Sequence, residues 1–437
     1  MKVCKFGGSS MASAETIRRV AEIIRSDADR RYVVVSAPGK RFSADIKITD
    51  SLLTAYHESR KGGALKELIA PIRERFEGIA HDLGVEDKVD LAALFKEIEA
   101  GIVASPIPDF AAAQGERLSA MLLAAFLGCT FIDAKEIIRF ADNGQFNAEY
   151  TNDVARKRLA AEGSLVVIPG FYGSTSAGQI RTFSRGGSDV TGAIIARAVK
   201  ADLYENWTDV NGFLTADPRI VDQPKPIPEL SYRELRELSY MGANVLHPES
   251  IFPVRKANIP INIKNTFEPT NPGTMILPGV LQHDRLITGI AGKKGFVSIL
   301  IEKSMMNNEI GFTRKLLSVL ENLNMSFEHL PSGIDTMTLI IADTEIGGKL
   351  QELVGGIREA VSPDRLEIQS DLALIATVGH GMAYKPGTAS RLFTALSRVG
   401  VNIKMIDQGS SELNIIVAVA GEDYEKAINA IYEEFIN

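Results

Sequence analysis

The chain has 437 residues, too many for one compact domain, and its 45% apolar and 24% charged residues predict two or three domains with sizeable cores. A net charge of −7 excludes a general binder of nucleic acid or anionic membrane, so any phosphate site must be local. Only Cys4 and Cys129 are present, which excludes a disulfide scaffold or a cysteine zinc centre; without a signal-peptide pattern or a membrane-length apolar run, a cytoplasmic protein is expected.

Residues 2–10, Lys-Val-Cys-Lys-Phe-Gly-Gly-Ser-Ser, read as an apolar strand entering a glycine turn. Ser13 is a candidate N-cap, and Ile17, Val20, Ala21 and Ile24 follow at helical spacing. Strand, glycine turn and helix N-terminus together make an anion site, because unpaired amides face outward and glycine admits a phosphate to the backbone. Lys5 can place its ammonium over that phosphate; the alternative is an ordinary strand-to-helix turn with a solvated lysine. The spacing fits neither a P-loop nor a G-x-G-x-x-G motif.

β-Branched runs at residues 32–37, 165–169 and 203–207 alternate with helical patterns such as 113–127 and 189–200. This rhythm, up to about residue 265, predicts a largely parallel sheet covered on both faces, with ligands at the carboxyl ends of its strands. Gln114-Gly115-Glu116-Arg117 reads as a helix start, where an acid suits the dipole; functionally, Glu116 could hold an amino-acid ammonium. Residues 182–189, Thr-Phe-Ser-Arg-Gly-Gly-Ser-Asp, repeat the physics of the opening, with an arginine fork suited to a carboxylate. Capping by Ser188 and Asp189 is the alternative there. Trp207-Thr208-Asp209-Val210-Asn211-Gly212 offers a strand-end carboxylate to a ribose, an adenine amine or magnesium, or is a plain turn. Asp217-Pro218-Arg219 is likewise a turn or a phosphate-facing arginine. His247 has no companion at metal-ligand spacing and reads as a packed or capping histidine.

A proline- and turn-rich stretch at residues 268–279 marks a domain boundary. Beyond it a unit repeats: Leu316, Leu317, Leu320, Leu323 and Met325 have counterparts in Leu392, Phe393, Leu396, Val399 and Val401. Each copy reads as β-α-β-β-α, a small α+β sandwich. The second copy runs out of chain after its last helix at 424–435, so a spare strand at 286–291 is expected to complete it.

Lys5-Phe-Gly-Gly-Ser-Ser, Gln114-Gly-Glu-Arg-Leu-Ser, Ser184-Arg-Gly-Gly-Ser-Asp, Trp207-Thr-Asp-Val-Asn-Gly-Phe with Thr215-Ala-Asp-Pro-Arg, and Val245-Leu-His-Pro occur in the order found in aspartokinases of the amino-acid kinase superfamily. The tail, with Val378-Gly-His-Gly-Met and Ile406-Asp-Gln-Gly-Ser-Ser-Glu-Leu-Asn-Ile, resembles their tandem ACT domains. The resemblance spans nearly the whole chain. It implies an α/β amino-acid kinase fold over residues 1–280 and an ACT regulatory region over 281–437, with ferredoxin-like modules at about 295–370 and 371–437. It further implies phosphorylation of the L-aspartate side-chain carboxylate by ATP with Mg2+, giving 4-phospho-L-aspartate for lysine, threonine and methionine. Lys5 and Asp189 would be catalytic. Lys5, Gly7, Gly8, Ser9, Thr208, Asp209 and Arg219 would hold phosphates and nucleotide, and Thr49, Glu116, Arg185, Gly187 and Ser188 would bind aspartate. Metal ligands from protein side chains are not expected.

Met306, Asn308, Gly311, Phe312, Glu328 and Asp335 fall where the family binds its effector, and the two acids favour lysine over threonine as inhibitor. A homodimer or higher homo-oligomer through the ACT domains and a single activity, with no fused dehydrogenase after Asn437, are expected. The alternatives are another kinase of the superfamily, acting on glutamate, N-acetylglutamate or a nucleotide, and a non-catalytic amino-acid sensor. The chain departs from many relatives at Asn244, where they carry a nucleotide-facing lysine, and in a longer segment at 36–45, where Lys40 and Arg41 are candidates for the missing charge.

Overall fold

Strands that are apolar on both faces must be covered on both faces, and the computed structural model meets that requirement with a parallel sheet under helices. The structure describes every residue except Arg185, Asn244, His247, 280–284 and Asn437, and all described side chains except those of Pro248, Glu249 and Tyr384. By internal contacts the chain divides into two units. One comprises Met1–Phe213, Pro228–Tyr232 and Asn244–Gly279, the other Leu214–Ile227, Arg233–Ala243 and Val280–Asn437.

In the first unit the strands are β1 (Lys2–Phe6), β2 (Arg30–Val35), β3 (Thr130–Phe131), β4 (Val166–Pro169), the hairpin β5 (Tyr172–Ser174) and β6 (Ile180–Thr182), β7 (Leu203–Thr208), β8 (Glu229–Ser231), β9 (Ile261–Asn265) and β10 (Thr274–Leu277). All but the hairpin join one eight-stranded sheet in the order β3-β4-β2-β1-β7-β9-β10-β8, parallel except where β9 meets β10. β1 and β7 lie side by side at its centre, with Lys5 opposite Asn206. Ser13 caps the helix Ala14–Arg25 through a full capping box, and that helix buries Ile17, Val20, Ala21 and Ile24. Its moderate propensity is thus overruled by one apolar stripe packed on the sheet, where each fully buried side chain contributes about 1.5–3 kcal/mol. The glycine turn does not feed this helix directly, because a single 3-10 turn, Ser9–Met11, intervenes.

The second unit holds a five-stranded antiparallel sheet built from β11 (Gly289–Glu302), β12 (Thr336–Ala342), β13 (Arg365–Val378), β14 (Met405–Asp407) and β15 (Asn414–Ala420), in the order β12-β11-β13-β15-β14. Of the separate strand expected at 286–291, residues 289–291 are instead the start of a 14-residue strand, β11, and 286–288 precede it. Its residues 289–294 pair with the C-terminal half of β13, and the register shifts around Gly295 before residues 298–302 pair with the other half. Ile290 packs with Leu392, Leu396 and Ile431 in one core, whereas Val297, Ile299 and Ile301 pack with Leu316, Leu320 and Leu353 in another. The two repeats therefore share β11 and β13.

Candidate active site

At the carboxyl end of β1, Lys5 is only 7% exposed, and its Nζ lies 2.6 Å from Asp189 Oδ1. Asp189 is the third residue of the helix Gly187–Val199, which starts after Gly186 in the left-handed region at φ 57°. Among the described residues no side chain caps that helix, and Ser188 and Asp189 occupy its first turn, the positions their residue types suit. Ser188 is buried at the same N-terminus. A carboxylate in the first turn is favoured by the helix dipole, and here it also holds the ammonium in place.

The glycine turn lies at Lys5 itself, since a Cβ on Gly7 would stand 3.6 Å from its Nζ. Gly7 donates to Trp207 O (3.0 Å), and Ser10 and Met11 donate to Gly7 O and Gly8 O (both 3.1 Å). Between them, the Gly8 and Ser9 amides have no main-chain partner among the described residues. The amides open to an anion thus belong to the 3-10 turn, because Ser13 Oγ already accepts from Thr16 N at the main helix. The loop at 36–39 closes over the turn: Ser36 donates to Phe6 O (3.1 Å) and Gly39 to Gly8 O (2.8 Å). A Cβ on Gly39 would fall 2.7 Å from the Gly8 carbonyl carbon, so only glycine permits this approach.

The same loop reaches Glu116. That residue does not start a helix, as its sequence suggested, but sits inside Asp109–Leu127, buried at 5% exposure. Its carboxylate accepts from the Ala37 amide, and burial pushes its pKa up to about 8. Oε2 is buried with no hydrogen-bond partner. An unpartnered buried acid is costly, and a cation reaching it would repay that cost. Thr49 is half-buried in the first turn of the helix Ile48–Arg60, whose first amide donates to Pro38 O at 3.3 Å. Residues 36–39 therefore join the glycine turn, Thr49 and Glu116 at one place.

Thr208 ends β7 and Asp209 follows it, with Thr208 Oγ1 donating to Asp209 Oδ1 at 3.3 Å. Thr266 N donates to Thr208 O (2.9 Å), and Thr266 Oγ1 lies 2.8 Å from Ser10 Oγ, which ties this strand end to the glycine turn. Arg219 belongs to the other unit, where its exposed guanidinium forks onto Asp217 (2.6 Å). Lys40 donates to Ser43 O at 3.3 Å, and Arg41 is paired with Asp45 at 2.8 Å, holding that carboxyl far below its ordinary range. Arg185, Asn244 and His247 lie outside the described residues. Among the described residues no group of three His, Cys, Asp or Glu side chains is placed to hold a metal ion. No described helix is long and apolar enough to cross a membrane. Cys4 is buried, and Cys129 is partly so.

Sequence reading missed two buried polar residues of β7, one on each face of the strand. Glu205 is 2% exposed and takes Arg30 Nε at 2.8 Å and Trp207 Nε1 at 2.9 Å. Asn206, 3% exposed, donates to Asp189 Oδ1 at 2.8 Å. The available signal was a Glu-Asn pair inside an otherwise apolar central strand.

In the second unit, Met306 and Phe312 are buried in the first repeat's core. Gly311 precedes the helix Phe312–Leu323 in the left-handed region at φ 83°. Beside it Glu309 pairs with Lys303 (2.5 Å) and Lys315 (2.6 Å). Asn308 and Asp335 are exposed; Glu328 is half-buried and accepts from the Tyr240 hydroxyl.

The amino acid kinase family pattern matches residues 1–265, and an ACT domain pattern matches residues 375–435. Aspartokinase 3 of Bacillus subtilis is 39% identical over 100% of this chain and 98% of its own length. The crystal structure of Clostridium acetobutylicum aspartate kinase superposes with a TM-score of 0.94 at 48% identity, over 100% of both chains. E. coli aspartokinase III in complex with aspartate and ADP superposes with a TM-score of 0.77 at 26% identity, again over 100% of both chains. The same E. coli protein in complex with lysine and aspartate gives a TM-score of 0.77 at 27% identity over 100% of both. This chain thus belongs to the amino acid kinase family, is a kinase of its aspartokinase branch, and carries a C-terminal ACT region.

Proposed function

We propose that this kinase transfers the terminal phosphoryl group of ATP to the side-chain carboxylate of L-aspartate, forming 4-phospho-L-aspartate. The observation that carries this reading is Glu116, a buried acid with an unpartnered oxygen, joined by one short loop to the turn that holds Lys5. The substrate ammonium pairs with Glu116. Its α-carboxylate takes Arg185 and the amides at Gly187 and Ser188, with Thr49 alongside. The aspartate side chain is then the acceptor.

Phosphoryl transfer asks the protein mainly for alignment and charge neutralisation. Lys5 and the Gly7, Gly8 and Ser9 amides neutralise the transferring group, and Asp189 pairs with the Lys5 ammonium and aims it. Thr208 and Asp209 take the nucleotide side, with Arg219 assigned there by family resemblance. Magnesium travels with ATP. The Asp189 carboxylate beside Lys5 is already ion-paired, so the described residues fit a metal held chiefly by phosphate oxygens.

The product feeds lysine, threonine and methionine synthesis, and lysine inhibits the enzyme at the face around Gly311, where Glu328 and Asp335 meet its ε-ammonium. The complex of the E. coli relative with lysine supports this choice. The chain works as a homo-oligomer joined through its ACT region. Assaying ATP-dependent phosphorylation of L-aspartate, L-glutamate and N-acetyl-L-glutamate side by side tests the substrate. Turnover confined to aspartate is expected, and a preference for either other acceptor would sink the reading.

A further inference from the structure

Resting on the kinase reading above, we propose that Asn206 is a positioning residue for phosphoryl transfer: it fixes the Asp189 carboxylate from the floor of the sheet, so that Asp189 holds Lys5 at the glycine turn. An amide side chain that is 3% exposed in a central strand is costly unless satisfied. Asn206 is satisfied by the site itself. Its Nδ2 donates to Asp189 Oδ1 at 2.8 Å, the oxygen that Lys5 Nζ approaches at 2.6 Å. The hydroxyl of Tyr204, two residues earlier on the same strand, donates to the Asp189 main-chain oxygen at 3.1 Å. Space for that hydroxyl exists because Gly192 lacks a side chain; a Cβ there would fall 2.5 Å from it. β7 therefore grips Asp189 at both main chain and side chain.

Geometry makes the grip useful. Lys5 and Asn206 are direct partners in the β1–β7 register, so the sheet itself sets their spacing. If Lys5 were its only partner, the Asp189 carboxylate could follow the ammonium as it turns toward a phosphoryl group. A donor on a rigid strand gives the carboxylate a second, immobile anchor. Because the donor is a neutral amide, it orients Asp189 without competing for the Lys5 charge, as a carboxylate at the same place would.

The test is a double-mutant cycle on the full chain, measuring kcat and both KM values. Asn206→Leu keeps side-chain volume and removes the donor. It should lower kcat about tenfold to a hundredfold, as a slightly misplaced reacting group does, with the KM for aspartate and for ATP within about twofold of wild type. In an Asp189→Ala background the same substitution should have no further effect on the residual rate, because its partner is gone. Asn206→Ser, smaller and still polar, repeats the measurement if the leucine variant does not fold. A wild-type kcat in both Asn206 variants overturns the inference, as does an equal loss with and without Asp189. A wild-type chain that shows no aspartate-dependent turnover instead overturns the kinase reading beneath it.

Discussion

Lys5 and Glu116 are similarly buried, yet the protein treats them differently. Lys5 has a carboxylate at 2.6 Å, whereas one oxygen of Glu116 has no partner. Replacing Lys5 with alanine should cut kcat at least a hundredfold, because a preorganised donor at a developing charge is lost, while circular dichroism shows the fold kept. For Glu116 the sign of the pH effect follows from burial. Its pKa is raised to about 8 from 4.5, so the folded state binds the proton more tightly than the unfolded chain. Stability from this group is therefore present below about pH 4.5 and is lost as pH rises to about 8, by at most a few kcal/mol. Melting temperatures of Glu116→Gln between about pH 5 and pH 9 should lack that decline, which wild type shows. The glutamine variant should also raise the KM for aspartate about tenfold to a hundredfold, the cost of one charged hydrogen bond. In wild type that KM should fall as pH rises toward about 8, since the proton must leave before an ammonium can pair.

Among the elements, the loop at 36–39 decides whether the site is assembled. Gly39 packs backbone to backbone on Gly8, so nothing flexible can yield to a side chain there. Gly39→Ala should cost about 1–3 kcal/mol in denaturant unfolding and lower kcat, and unchanged values of both would show that the loop tolerates displacement. Much at this scale was legible in the sequence: the Ser13 cap, the central strands and the helix at 424–435 lie where periodicity and capping put them. The misreadings have physical causes. Gly115 resembles a helix start but sits inside Asp109–Leu127 because a Cβ there would meet the Ala37 side chain at 2.7 Å. The actual start has Pro108 as N-cap and Asp109, an acid suited to the helix dipole, in the first turn. The strand expected to end at 291 runs on through Gly292-Lys-Lys-Gly295, with a register shift where one core gives way to the next. Asn206 escaped notice because its partner, Asp189, lies on a helix, which the strand's own composition does not reveal.

For the whole molecule, the proposal is a kinase governed by an amino acid. Titrating lysine and threonine separately against aspartate-dependent ADP formation should give inhibition by lysine, and Glu328→Ala should move the lysine curve about tenfold to higher concentration. Indifference to lysine would remove the effector assignment while leaving the kinase intact. The catalytic claim stands on Lys5, and its most direct measurement is ADP release by the full chain with ATP, magnesium and L-aspartate, compared with Lys5→Ala. Steady turnover that requires aspartate is expected in the wild type, with a loss of at least a hundredfold in the variant. A folded Lys5→Ala chain that still releases ADP at the wild-type rate in response to aspartate would contradict it.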